Sequence, residues 1–299
     1  MYDVLIIGSG PAGLSAAIYS KRANLKVAVL EKEYAGTGQI AESEKVDNYP
    51  GFPEISGYDL GEKFREHALR LEVPFIEHEA VKIEKNQDKI WEVSLENKEK
   101  LYAKTIIYAT GASPRKLDVK GEEQLLGKGI SFCAVCDGAF YKNKTVAVIG
   151  GGNTAVDDAL LLSDIAHKVY LIHRRDEFRA AKRTVELLKQ RPNVEIILNS
   201  SVKEIEGEKL VTGIVLEDGR KIEVSGIFEA IGQAPSTKLI STLTSLDESG
   251  YVVAGEDGKT DNEGLFVAGD VRTKKLRQVV TAVSDGANAV SSVEEYLYS

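Results

Sequence analysis

One pattern constrains this chain more than any other, and it occurs twice. The segment from Tyr2, "YDVLIIGSGPAGLSAAIYSKRANLKVAVLEK", predicts a buried strand over Asp3 to Ile7 and the loop Gly8-Ser9-Gly10-Pro11-Ala12-Gly13. A helix follows to about Arg22, then a second strand over Val27 to Leu30 that ends in Glu31. Apolar strand, GxGxxG, helix, strand and acid in that order predict a dinucleotide fold. Gly8 makes the turn, Gly10 admits a pyrophosphate to the backbone, and Gly13 lets helix and strand pack closely. The helix N-terminus offers free N–H groups and a positive dipole end.

The second copy begins at Lys144, "KTVAVIGGGNTAVDDALLLSDIAHKVYLIHRR", with a strand over Thr145 to Ile149. Its loop is Gly150-Gly151-Gly152-Asn153-Thr154-Ala155, a GxGxxA. Its second strand, Val169 to Ile172, ends in His173-Arg174-Arg175 in place of an acid, with Arg179 close behind. An acid suits a plain adenosine ribose, as in FAD, and repels a 2′-phosphate. Guanidinium groups bind that phosphate in bidentate fashion. The first copy therefore predicts FAD and the second NADPH, the pairing of a flavin-linked oxidoreductase.

A chain of 299 residues leaves room for about two such domains. Its net charge of −8 argues against nucleic-acid or anionic-membrane binding. No basic n-region precedes the first strand and no apolar run is long enough to span a bilayer, so a cytoplasmic protein is expected. Val81 to Lys104 alternates polar and apolar residues, the pattern of an antiparallel insertion. "TIIYATGASPR" (105–115) and "GIFEAIGQAPST" (226–237) are each a strand with a Gly/Pro exit, and they bracket the second nucleotide fold. "DNEGLFVAGDV" (261–271) is a late strand running into Gly269-Asp270, whose carboxylate can hold a sugar or ribityl hydroxyl. The expected division is a FAD domain over 1–112 and 243–299, with an NADPH domain inserted over 113–242.

Both cysteines lie in "SFCAVCDGAF", as Cys133-Ala134-Val135-Cys136 with Asp137 behind. Half of a zinc site, a pair of inert thiols and a redox dithiol are the alternatives. Zinc needs about four ligands, and no histidine stands at finger spacing. Two intervening residues suit a disulfide that closes the first turn of a helix, where the dipole lowers a thiol pKa. Lying between two redox-cofactor folds, the pair reads as a redox dithiol, and no metal is expected. Trp91 and the histidines at 67, 78 and 167 form no constellation.

Taken together, "GSGPAG", "TGQIAESEKVDNYPGFP", "YATGA", "FCAVCDGAFY", "GGGNTA", "HRRDEFRA", "GLFVAGDV" and "RQVVTAVSDGANA" resemble the low-molecular-weight, bacterial-type thioredoxin reductases over nearly the whole chain. The resemblance implies an α/β fold of two Rossmann-like domains of the flavoprotein disulfide reductase type, each with ββα layers. It implies FAD contacts from Ser9, Gly10, Pro11, Ala12, Glu31, Gly38, Gln39 and Asn48, and from Val81, Gly111, Gly269, Asp270, Arg277, Gln278 and Val279. It implies NADPH contacts from Gly152, Asn153, Thr154, His173, Arg174, Arg175 and Arg179. Catalysis would fall to Cys136 facing the flavin, Cys133 attacking the protein substrate and Asp137 as the acid. The substrate would be a thioredoxin-like protein, the enzyme a homodimer, and the two Pro/Gly exits the hinges of a rotating inserted domain. Thr37 departs from the family, which often has glycine there. The runners-up are a ferredoxin-fed flavin thioredoxin reductase, a ferredoxin-NADP reductase-like flavoprotein and a non-catalytic flavin sensor. The intact "GGGNTA" and "HRR" weigh against the first, the CxxC against the second, and the presence of all three sites against the third.

Overall fold

The computed structural model describes residues 1–32, 37–43 and 45–299; within the motif at 37–53, Glu44 lies outside the described residues. The chain opens with β1 (Tyr2–Ile7), α1 (Pro11–Arg22), β2 (Val27–Glu31), α2 (Gly57–Arg70) and β3 (Phe75–Glu77). A meander follows, β4 (Ala80–Lys85), β5 (Trp91–Leu95) and β6 (Lys100–Tyr108), then β7 (Ala112–Pro114). Next come α3 (Glu122–Leu125), β8 (Ile130–Ser131), α4 (Ala134–Asp137), β9 (Thr145–Ile149), α5 (Asn153–Ser163) and β10 (Lys168–Ile172). After them run α6 (Lys182–Lys189), β11 (Val194–Ile197), β12 (Val202–Gly207), β13 (Val211–Leu216), β14 (Lys221–Glu223), β15 (Gly226–Glu229) and β16 (Gln233–Pro235). The chain closes with β17 (Leu265–Val267) and α7 (Val279–Tyr298).

Two compact units result: Met1–Ser113 with Ala234–Ser299, and Pro114–Gln233. In the first, β1 pairs in parallel with β2 and with the second half of β6, and β17 adds in parallel to β6. The first half of β6 pairs antiparallel with β5, and β5 with β4. One long strand thus serves both a parallel sheet and a meander. Every side chain of β1 from Val4 onward is buried, as a strand covered on both faces requires. Val4 and Ile6 pack with Leu14 and Ala17 of α1 and Val290 of α7. Leu5 and Ile7 pack on the other face with Trp91, Val93 and Val267. Trp91 is fully buried there, a core residue.

The second unit repeats this build. β11, β10, β9, β15 and β8 form a parallel sheet, with a separate antiparallel β12-β13-β14. Val146 and Val148 face Ala155 and Leu162 of α5, while Ala147 and Ile149 face the meander through Ile214 and Leu216.

The chain re-enters the first unit at Ala234, earlier than the expected residue 243. Its contacts explain the difference. The Tyr108 hydroxyl donates to the Ser236 carbonyl at 2.7 Å, and Ile240 is fully buried among Val252, Leu265 and Val267. No helix among the described residues is long and apolar enough to cross a membrane.

Candidate active site

In the first unit the glycine loop is shaped by what a side chain would strike. Gly8 has φ +103°, and a Cβ there would lie 2.6 Å from the Ala109 carbonyl oxygen. A Cβ on Gly13 would lie 1.9 Å from the Gly8 oxygen, so helix and strand touch backbone to backbone. Gly10 differs: its nearest neighbour would be the Cα of Gly38, 3.9 Å away. Gly38, at φ +77°, packs tightly on the loop, since a Cβ there would lie 3.0 Å from the Gly10 Cα. The result is a cradle beside the α1 N-terminus that a side chain would fill, which fits a pyrophosphate. Ser9 is fully buried, and its N–H and hydroxyl both donate to the Glu31 carboxylate at 2.9 Å. Glu31 therefore ties β2 to the loop.

Other expected residues make contacts within the same unit. Gly269 (φ +81°) lies against Ala12, its Cβ position 2.9 Å from the Ala12 methyl. Asn48 donates to the Gln278 side-chain oxygen at 2.8 Å, and Gln278 caps α7 through Thr281. Val279 packs against Ile40, Val46 and Leu60. The Gln39 amide donates to the Ala112 carbonyl beside Gly111, which has φ +69° and open space on its Cβ side. The Arg277 guanidinium lies over the Tyr251 ring, 4.1 Å from its centre. Asp270 presents a buried Oδ1 without a hydrogen-bond partner, and burial raises its pKa against the pull of Lys274 and Arg277. Val81, on edge strand β4, is 49% exposed and stands apart from these contacts. Thr37 is buried facing Gly61 of α2, where a Cβ would strike its side chain at 2.5 Å. The departure from glycine is absorbed on the α2 side.

The second loop is built alike. A Cβ on Gly150 would lie 2.3 Å from the Ala230 oxygen, whereas one on Gly152, the N-cap of α5, meets nothing within 4 Å. Gly151 is backed by the His173 ring, which a Cβ would strike at 2.1 Å. His173 is 6% exposed, stacks on Phe178 and approaches the Glu177 carbonyl at 3.1 Å. Burial, with Arg175, Arg179 and Arg174 adding repulsion, lowers its pKa. The imidazole supports the loop from behind. Arg174, Arg175 and Arg179 are exposed, and the Arg179 N–H donates to the Gly151 carbonyl at 2.8 Å. Asn153 accepts from the Ala181 N–H at 2.9 Å, and Thr154 is exposed in the first turn of α5. An open N-terminus flanked by three guanidinium groups fits a phosphorylated dinucleotide.

The same unit carries the disulfide Cys133–Cys136, with Cα atoms 5.3 Å apart. Cys133 is the N-cap of α4, and its Sγ accepts from the Cys136 N–H at 3.2 Å. Asp137 ends α4, and Ser131 fixes its carboxylate. The buried Ser131 hydroxyl donates to Asp137 at 2.5 Å and accepts from the Cys133 N–H at 3.1 Å. Sequence reasoning missed Ser131, since only its distance from Asp137 marks it. It also missed Arg272, Lys274 and Asp285, which meet in a buried ion cluster beside Gly269. Among the described residues, no group of three or more His, Cys, Asp or Glu could hold a metal ion.

A family model described as pyridine nucleotide-disulphide oxidoreductase matches residues 2–286. The chain is 42% identical to the thioredoxin reductase of Mycoplasma pneumoniae, covering 99% of this chain and 96% of that one. Its structure matches the crystal structure of thioredoxin reductase from Streptococcus pyogenes with a TM-score of 0.93 at 40% identity, covering 100% and 98% of the two chains. It matches thioredoxin reductase from Giardia duodenalis with a TM-score of 0.91 at 34% identity, covering 100% and 99%. With two glycine loops, a disulfide at a helix N-terminus and these likenesses, the chain belongs to the pyridine nucleotide-disulphide oxidoreductase family.

Proposed function

We propose that this protein is an NADPH-dependent thioredoxin-disulfide reductase that holds FAD in its first unit and NADPH in its second. The observation that carries this reading is the Cys133–Cys136 disulfide in one unit with the Gly150–Gly152 loop and its three arginines. When bound, NADPH would supply the reducing equivalents as hydride, and FAD would supply the two-electron chemistry that opens the disulfide. The chain's own residues then perform thiol–disulfide exchange. The Cys133 thiolate attacks one sulfur of the substrate disulfide, forming a mixed disulfide and expelling a substrate thiolate. Asp137 gives that thiolate its proton, and Ser131 holds the carboxyl group in place. Cys136 attacks Cys133, releases the second substrate thiol and restores the Cys133–Cys136 bond. Two electrons leave the dithiol and two thiols appear on the substrate.

Several finer assignments belong to this reading. The substrate is a thioredoxin-like protein, the active species is a homodimer, and its compartment is the cytoplasm. Arg174, Arg175 and Arg179 take the 2′-phosphate, and His173 acts through Gly151. Asp270, Arg277, Gln278 and Val279 lie toward the flavin end. The crossings Ala112-Ser113-Pro114 and Gln233-Ala234-Pro235 serve as hinges. The test is Cys133→Ser and Cys136→Ser. Each should lose NADPH-driven reduction of a thioredoxin disulfide while NADPH still bleaches the flavin. Substrate reduction by either variant sinks the route.

A further inference from the structure

Asp285, on α7 and inside the motif "RQVVTAVSDGANA", sits at the centre of a charge cluster. It is 4% exposed. Arg272 donates to both its oxygens, from Nε at 2.9 Å and Nη2 at 2.6 Å. Lys274 Nζ donates to Oδ2 at 2.9 Å, and the Gly269 N–H donates to the same oxygen at 3.0 Å. The Arg272 and Lys274 side chains are each 6% exposed. Two cations and a backbone donor thus converge on one carboxylate.

Lys274 has a second carboxylate within reach. Oδ1 of Asp270, four residues back in sequence, is 3.9 Å from Nζ. That oxygen is buried and has no hydrogen-bond partner, while the Asp270 side chain as a whole remains 28% exposed. A buried carboxylate oxygen left unsatisfied beside an ammonium group is costly, and closing to contact distance would relieve it. Lys274 does not close because Asp285 holds it. The same Asp285 oxygen fixes the Gly269 N–H, and Gly269 lies against Ala12 in the first turn of α1. Gly286 delivers Asp285 to this point. A Cβ at Gly286 would lie 2.1 Å from the Ala12 carbonyl oxygen, so its absence lets α7 cross α1 closely.

We propose that Asp285 is a positioning residue for FAD: it holds Lys274 off Asp270, leaving the Asp270 carboxylate to accept hydroxyl hydrogens of the cofactor. The inference rests on the assignment of FAD to this unit. Without the Asp285 charge, Lys274 turns to Asp270 and consumes its acceptor capacity. The turn at Gly269 also loses its anchor to α7.

The test is FAD affinity of the flavin-stripped protein, read by quenching of flavin fluorescence. Wild type should bind. Asp285→Asn should bind tenfold to a hundredfold more weakly, equivalent to about 1.4–2.8 kcal/mol. Lys274→Met should bind at least as tightly as wild type. Lys274→Met added to Asp285→Asn should restore affinity to within about threefold, because the competing cation is gone. If wild type does not bind FAD, the cofactor assignment falls and the inference with it. If wild type binds but Asp285→Asn matches it, or the double variant stays as weak as Asp285→Asn, the role of Asp285 alone is overturned. Where circular dichroism finds Asp285→Asn unfolded, Lys274→Met decides: weaker FAD binding overturns the inference, and equal or tighter binding supports it.

Discussion

Glu229 ends the strand beside the second glycine loop and is 3% exposed. Burial, and then the neighbouring charge of Glu122, push its pKa up to about 8 from the ordinary 4.5. The two carboxylate oxygens of Glu122 accept the N–H groups of Leu117 and Val119 at 3.1 and 3.2 Å. Between pH 4.5 and 8 the unfolded chain has released the Glu229 proton and the folded chain still holds it. Stability therefore falls as pH rises through that window, by up to about 1.4 kcal/mol per pH unit, and levels off above it. Glu229→Gln should flatten this slope and exceed wild type in denaturation midpoint at pH 9; an unchanged pH profile would contradict the burial argument. Arg174 and Arg175 make a different residue-scale case. Changing both to Ala removes charge-assisted bonds of roughly 1.5–3 kcal/mol each. The KM for NADPH should rise by about a hundredfold or more, with that for NADH nearly unmoved. An equal rise for both cofactors would refute the phosphate role.

At the scale of elements, two glycines do opposite work. Gly286→Ala drives a methyl group into the α1 backbone and should lower stability by about 3 kcal/mol, seen as an earlier urea transition of the first unit. Gly152→Ala meets open space at an ordinary φ of −92°, so it should melt like wild type. It should still bind NADPH more weakly, because the methyl group enters the space left for phosphate. Loss of fold in Gly152→Ala, or a stable Gly286→Ala, would reverse the assignment. The glycine loops are legible in the sequence alone, because positive φ and backbone contact have glycine as their local solution. The antiparallel 81–104 insertion is legible as well, from its alternation. Asp285 is not. Its partners lie 11 and 13 residues back on another segment, and only the crossing of α7 over α1 brings them together. The re-entry at Ala234 escapes the sequence for a similar reason: Ser236 and Ile240 declare their unit by long-range contacts. His173 is expected at the cofactor surface, and only the packing of Phe178 and the loop reveals its burial behind Gly151.

At the scale of the molecule, Pro114–Gln233 is an insertion whose two ends meet. β7 and β16 pair as a ribbon, and the Arg115 N–H donates to the Gly232 carbonyl at 3.0 Å. The insertion owns both faces of its sheet and needs no residue of the first unit to fill either core. Expressed alone, residues 114–233 should fold cooperatively, remain colourless with added FAD and bind NADP. A molten chain by near-UV dichroism would show that the unit depends on its host.

The first unit has the opposite dependence. Its opening strand and helix are covered by α7, and β6 is paired by β17, so the beginning of the chain is finished by its end. On the ribosome, at about 5–20 residues per second, the apolar face of β1 and α1 waits roughly 10–40 s for those partners after Ser113 has been made. The inserted unit is complete well before then. Birth order and residue order therefore disagree: the half of the protein that is read second is the half that can fold first, and the half that is read first must be sheltered until the last helix arrives.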